Sequence, residues 1–129
     1  MNSEKLQTRH ALANGLFLQF WDLSRPMIGD RCQLVLEIRV AVPITAGLLA
    51  PDLRPQLDRI IAALGEAPVF TKQEVRNFVA AGDAASLLKQ IEEQLLASLR
   101  AYLGHPDFPG KFIRKRYAEH QEEQRCQRR

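Results

Sequence analysis

Hydrophobic and polar positions alternate most clearly between residues 31 and 44. Cys32, Leu34, Leu36, Ile38, Val40, Val42 and Ile44 share one parity, and Arg31, Gln33, Glu37 and Arg39 share the other. That period belongs to a strand with one dry face and one wet face. In the run before it, Leu16, Leu18 and Phe20 alternate with Phe17, Trp21 and Leu23, apolar on both sides. Pro26 and Gly29 fall in the polar stretch between the runs, so the pattern predicts a long antiparallel hairpin with its tip at about 24–30. Pro43 lacks an N–H and is expected to close the second strand.

Further along, the period changes to that of helices. Leu53, Leu57, Ile60, Ile61 and Leu64 recur at 3.6-residue spacing, with Asp52 as N-cap, Pro55 in the first turn and Gly65 at the end. A second stripe comprises Leu87, Leu88, Ile91, Leu95, Leu99, Tyr102 and Leu103. It follows Asp83 as cap, ends at Gly104, His105 and Pro106, and lies opposite Lys89, Gln90, Glu92, Glu93 and Arg100. A last helix is predicted from about 109 towards 121, docking Phe108, Phe112, Ile113 and Tyr117.

Two stretches lack a single clear period. Residues 66–82 offer a capping box, Thr71 to Glu74, ahead of Val75, Phe78 and Val79; they also suit a strand over 68–79. A two-stranded hairpin leaves both edges open, and a third strand relieves one of them, so the strand is the expectation. Residues 1–14 are polar without a period and are expected to form a helical turn around 7–13 or to fray. The sum is an α+β fold: a small antiparallel sheet (long hairpin plus third strand) with helices packed on one face, in the order β-β-α-β-α-α. Residues 1–121 are expected to form a single domain, and 122–129 a frayed, polar, basic tail.

With 129 residues the chain is long enough to bury a core unaided. Charge is unevenly placed. Residues 111–129 hold seven Lys/Arg and three Glu, a balance of +4, and the remaining 110 residues balance at −1. A basic surface over the whole molecule is thereby excluded, leaving a basic appendage. Two distant cysteines, Cys32 and Cys126, and a start without an apolar run imply a reduced, cytoplasmic protein with no transmembrane segment. Cys32 is expected in the core and Cys126 on the surface.

The segments GLFLQFWDLSRPMIGDR, EVRNFV and YLGHPDFPGKFIRKRY resemble a group of short bacterial proteins to which no activity attaches. The resemblance implies a strand for the middle segment and no chemistry. The Asp22-Leu23-Ser24 turn also invites comparison with cyclic-dinucleotide-binding PilZ domains. Gly29 comes two residues late for that motif, however, and no Arg-x-x-x-Arg lies upstream.

Candidate chemistry is sparse. Asp22, Ser24, Arg25, Asp30 and Arg31 gather at the hairpin tip, where arginines and a serine suit a phosphate or carboxylate; Arg76 is a further candidate for that anion site. The same residues equally make Asx and Ser/Thr turns. Glu74 and Arg76 would share a strand face and add to a polar sheet face bearing Glu37 and Arg39. Lys111, Arg114, Lys115, Arg116 and Tyr117 interleave cations with an aromatic ring, as a nucleic-acid surface does. Neither a metal-ligand spacing, a phosphate loop nor a nucleophile elbow occurs, so no metal, cofactor or catalytic residue is assigned. The expectation is a non-enzymatic binding or protein-interaction module, acting on a protein partner or on itself. The alternatives are a nucleic-acid binder using the last helix, and an enzyme or ligand-binding protein with an anion site at the tip.

Overall fold

The computed structural model describes residues 4–127. Strands β1 (Lys5–Ala11), β2 (Phe17–Asp22), β3 (Arg25–Pro26) and β4 (Arg31–Ala41) come first, then helix α1 (Leu57–Leu64) and strand β5 (Val69–Ala80). Helices α2 (Ala84–Leu103) and α3 (Phe108–Gln127) complete the order β-β-β-β-α-β-α-α. The fold is α+β with a small antiparallel sheet, as the alternation implied. Two compact units result: 1–40 with 71–104, and 41–70 with 105–129, the boundaries falling inside β4 and β5.

In the first unit β4 is the central strand. β2 pairs with it antiparallel, Trp21 opposite Glu37, and β3 continues along the same edge, Arg25 opposite Gln33. Leu23 N–H to Val35 O and Met27 N–H to Arg31 O carry the ladder between and beyond these strands. The hairpin tip is therefore tighter than the expected 24–30 and reduces to Ile28, Gly29 and Asp30, with Gly29 at φ +71°. Ser24 and Arg25 belong to the hairpin arm.

β1 occupies 5–11, where a helical turn or fraying was expected; residues 1–3 lie outside the described ones. It pairs antiparallel with β2, Arg9 opposite Gln19 and His10 opposite Leu18. Its inward residues, Thr8 and His10, are polar, and so the strand leaves no hydrophobic period. They face α2: Thr8 Oγ1 donates to Glu92 Oε1 at 2.6 Å, Gln7 Nε2 donates to the same oxygen at 3.2 Å, and the His10 ring contacts Thr8 Oγ1 at 3.2 Å. Glu92 was expected on the wet side of α2 but is 9% exposed. Tyr102, expected in the apolar stripe, is 56% exposed. Asp83 occupies the N-cap position of α2 without a side-chain cap bond. At the other end Asn14 Nδ2 donates to Leu103 O at 2.8 Å. A Cβ on Gly104 would come within 3.3 Å of Ala13 N, so the chain passes closest where there is no side chain. Leu18, Phe20, Leu34, Leu36, Ile38 and Val40 are all buried, each contributing about 1.5–3 kcal/mol through burial.

In the second unit the β4–β5 ladder continues, Val42 N–H bonding to Pro68 O and Ile44 N–H to Glu66 O. Pro43 lies between these donors, on the parity that does not need an N–H there. α1 begins at Leu57 after a 3-10 turn, Arg54–Gln56, that takes up Pro55. Asp52 is consequently not its cap. Gly65 ends α1 at φ +84°, as expected. Ile60, Leu49, Phe108, Ile113 and Tyr117 are buried, and Phe70 stands edge-on to Phe108 and Phe112 at 5.7 and 6.0 Å. α3 runs to Gln127, six residues past the expected end near 121. Gln, Glu and Arg are good helix formers and carry it without an apolar stripe; 128–129 of the expected tail lie outside the described residues.

Candidate interaction surface

The odd-numbered residues of β4 and their neighbours form the outer face of the sheet in the first unit. The Arg39 guanidinium lies 4.5 Å over the Trp21 ring and that of Arg9 lies 3.7 Å over Phe17. Trp21 Nε1 donates to Gln19 Oε1 at 2.9 Å. Arg39 is held by Glu37 and, at 2.9 Å, by Glu4, and Gln73 Nε2 donates to Glu37 Oε1 at 2.9 Å. Partial burial pushes the Glu37 carboxyl up, but the Gln73 amide and Arg39 guanidinium outweigh it and hold its pKa below the usual value. Burial likewise opposes the charge on Arg39, and its two carboxylate partners more than offset that, raising its pKa. Arg25 Nε donates to Gln33 Oε1 at 2.7 Å, and Gln33 Nε2 to Asn77 Oδ1 at 2.8 Å. A hydrogen-bonded lattice thus crosses the sheet, with aromatic rings at one side.

β5 ends the sheet beyond β4. The expected strand over 68–79 is present, and its backbone parity follows from the ladder. Pro68 and Glu66 turn their carbonyls to β4, so the even residues of β5 are bonded there. Val69, Thr71, Gln73, Val75 and Asn77 turn their N–H and C=O groups outward, where no strand among the described residues pairs with them. The Arg76 Nη1 donor covers one of these carbonyls, Val75 O, at 3.1 Å. The register slips by one residue past Asn77, since Ala81 N–H bonds to Asp30 O. The extra residue is Phe78, at φ +57° and 66% exposed, which makes a β-bulge. Val69 and Val75 are also exposed.

At the hairpin tip the polar groups are engaged locally. Asp22 Oδ1 accepts from Ser24 N–H at 2.9 Å, Ser24 Oγ accepts from Val35 N–H at 3.0 Å, and Asp30 and Arg31 pair at 3.8 Å. Arg76 Nη1 is 2.6 Å from Glu74 Oε1. Gln73, not Glu74, shares a face with Glu37. Glu74 and Arg76 therefore lie on the opposite face from Glu37 and Arg39, and Arg76 on the opposite face from Arg25. On α3, Arg114 binds Asp52 through both Nη atoms at 2.9 and 3.3 Å, which lowers the Asp52 pKa. Tyr117 is buried and its hydroxyl donates to Gln56 Oε1 at 3.3 Å. Lys111, Lys115 and Arg116 are exposed without an ion-pair partner among the described residues. Lys111 and Arg114 border a hollow of about 440 Å³ beside Leu49 and Arg54. Arg54 there is spent on the Ala46 and Leu49 carbonyls.

No protein-family model matches this sequence, and searches of curated proteins and of solved structures return no significant match. Among the described residues no group of three or more His, Cys, Asp or Glu could hold a metal, and no helix is long and apolar enough to cross a membrane. Glu92, buried, forms with half-buried Thr8 and His10 a polar network that sequence reasoning missed. The open odd-numbered edge of β5 was legible only as far as the strand itself.

Proposed function

We propose that this chain is a non-enzymatic protein-interaction module that engages its partner along the free edge of β5 and the adjoining outer sheet face. The observation that carries this reading is the row of outward backbone groups at Thr71, Gln73, Val75 and Asn77 beside exposed Val75 and Phe78. Such an edge offers main-chain hydrogen bonds for affinity and alternate side chains for selectivity. Cytoplasmic residence belongs to the same reading, supported by two unpaired cysteines, one half-buried and one exposed.

A photo-crosslinking residue placed at Gln73, compared with one at Lys115, tests this. Discrete protein adducts from position 73 and not from 115 are expected. Adducts absent at 73, or equal at both, would overturn the reading. A second reading, nucleic-acid binding through α3, is supported by exposed Lys111, Lys115 and Arg116. It has only three of its five expected residues to work with, because Arg114 and Tyr117 are engaged within the second unit.

A further inference from the structure

We infer that the partner of the β5 edge is a second copy of this chain, joined by antiparallel β5–β5 pairing centred on Gln73. The inference rests on the interaction-module reading above and names its occupant. An antiparallel pair about a two-fold axis brings the residue before the centre opposite the residue after it in the other copy. Around Gln73 the strand reads Thr71, Lys72, Gln73, Glu74, Val75. Lys72 of each copy then faces Glu74 of the other, giving two ion pairs, and Thr71 faces Val75.

Both requirements of the backbone are met in this register. Thr71, Gln73 and Val75 are the residues whose N–H and C=O groups point away from β4. Gln73 with Gln73, and Thr71 with Val75, therefore become hydrogen-bonded pairs. Lys72 and Glu74 fall in the closer, non-hydrogen-bonded positions, where side chains approach most. Neighbouring registers are worse. Centring on Glu74 sets carboxylate against carboxylate. Centring on Val75 pairs Glu74 with Arg76 but runs each strand into the Phe78 bulge of the other. Centring on Gln73 pairs 71–75, all of it before the register of β5 slips. Arg76, which now covers Val75 O, gives that carbonyl up to the Thr71 N–H of the second copy.

The full-length chain is to be compared with Lys72→Glu, Glu74→Lys and the double variant by sedimentation equilibrium, with circular dichroism as the folding control. Wild type is expected to dimerise. Each single reversal makes two like-charge contacts and should raise the dimer Kd about tenfold, and the double variant should return it close to the wild-type value. Glu74→Arg combined with Arg76→Glu should give no such recovery. A wild type that stays monomeric at tens of micromolar, a dimer indifferent to the single reversals, or recovery by the Glu74/Arg76 exchange instead would each overturn the inference. A monomer that still crosslinks another protein from position 73 defeats self-pairing and leaves the module reading standing; a monomer without adducts defeats both.

Discussion

Glu92 shows how a single residue departs from its helix pattern. It follows Ile91 and lies one turn after Leu88, so it borders the buried stripe of α2, and β1 meets it with hydroxyl and amide donors instead of apolar atoms. Removing the carboxylate strands those donors. Glu92→Ala is expected to cost about 1–3 kcal/mol in urea unfolding. Glu37 acts through protonation. Its folded pKa lies below the ordinary 4.5, so its contribution is complete above that value and is lost as pH falls through the lower folded pKa. Glu37→Gln should therefore flatten the fall in melting temperature between about pH 5 and pH 3 relative to wild type. Alternation from Leu34 to Val40 exposed the inward side of β4 directly, whereas Cys32, expected in the core, is only half-buried. Neither Glu92 nor Thr8 could be assigned that way, because the hydrogen bond between them, and not apolar character, turns them inward.

Among the elements, those with an apolar stripe were legible and those stabilised by polar partners were not. The hairpin, α1 and α2 follow from period and turn residues, and the strand at β5 from the open hairpin edge that it covers. β1 does not, since Thr8 and His10 face inward. The far end of α3 does not either, since propensity alone sustains it. The face assignment of Glu74 and Arg76 needed the β4–β5 register, which no local pattern contains. β5 also ends in an irregularity of its own. Phe78 occupies left-handed backbone at a cost of about 1–2 kcal/mol for a residue with a Cβ, and its exposed ring recovers little by burial. Phe78→Gly should therefore be more stable than Phe78→Ala by about 1 kcal/mol, the reverse of their usual order within a strand. Thermal melts of the two variants check the sign.

For the molecule as a whole, the uneven charge separates the two binding readings. If α3 held nucleic acid, Lys115→Glu with Arg116→Glu would abolish binding, and wild-type affinity would fall steeply with salt. The expected outcome is different: weak binding of short single-stranded DNA at low salt, lost at physiological salt, and no effect of the charge reversal on association through β5. The outer sheet face has one more use. Trp21 is the sole indole in the chain, and it stands beneath Arg39 among the residues that link the strands. Its intrinsic fluorescence accordingly monitors that one surface without a label, and an emission shift on adding a protein would locate the contact before any partner is mapped.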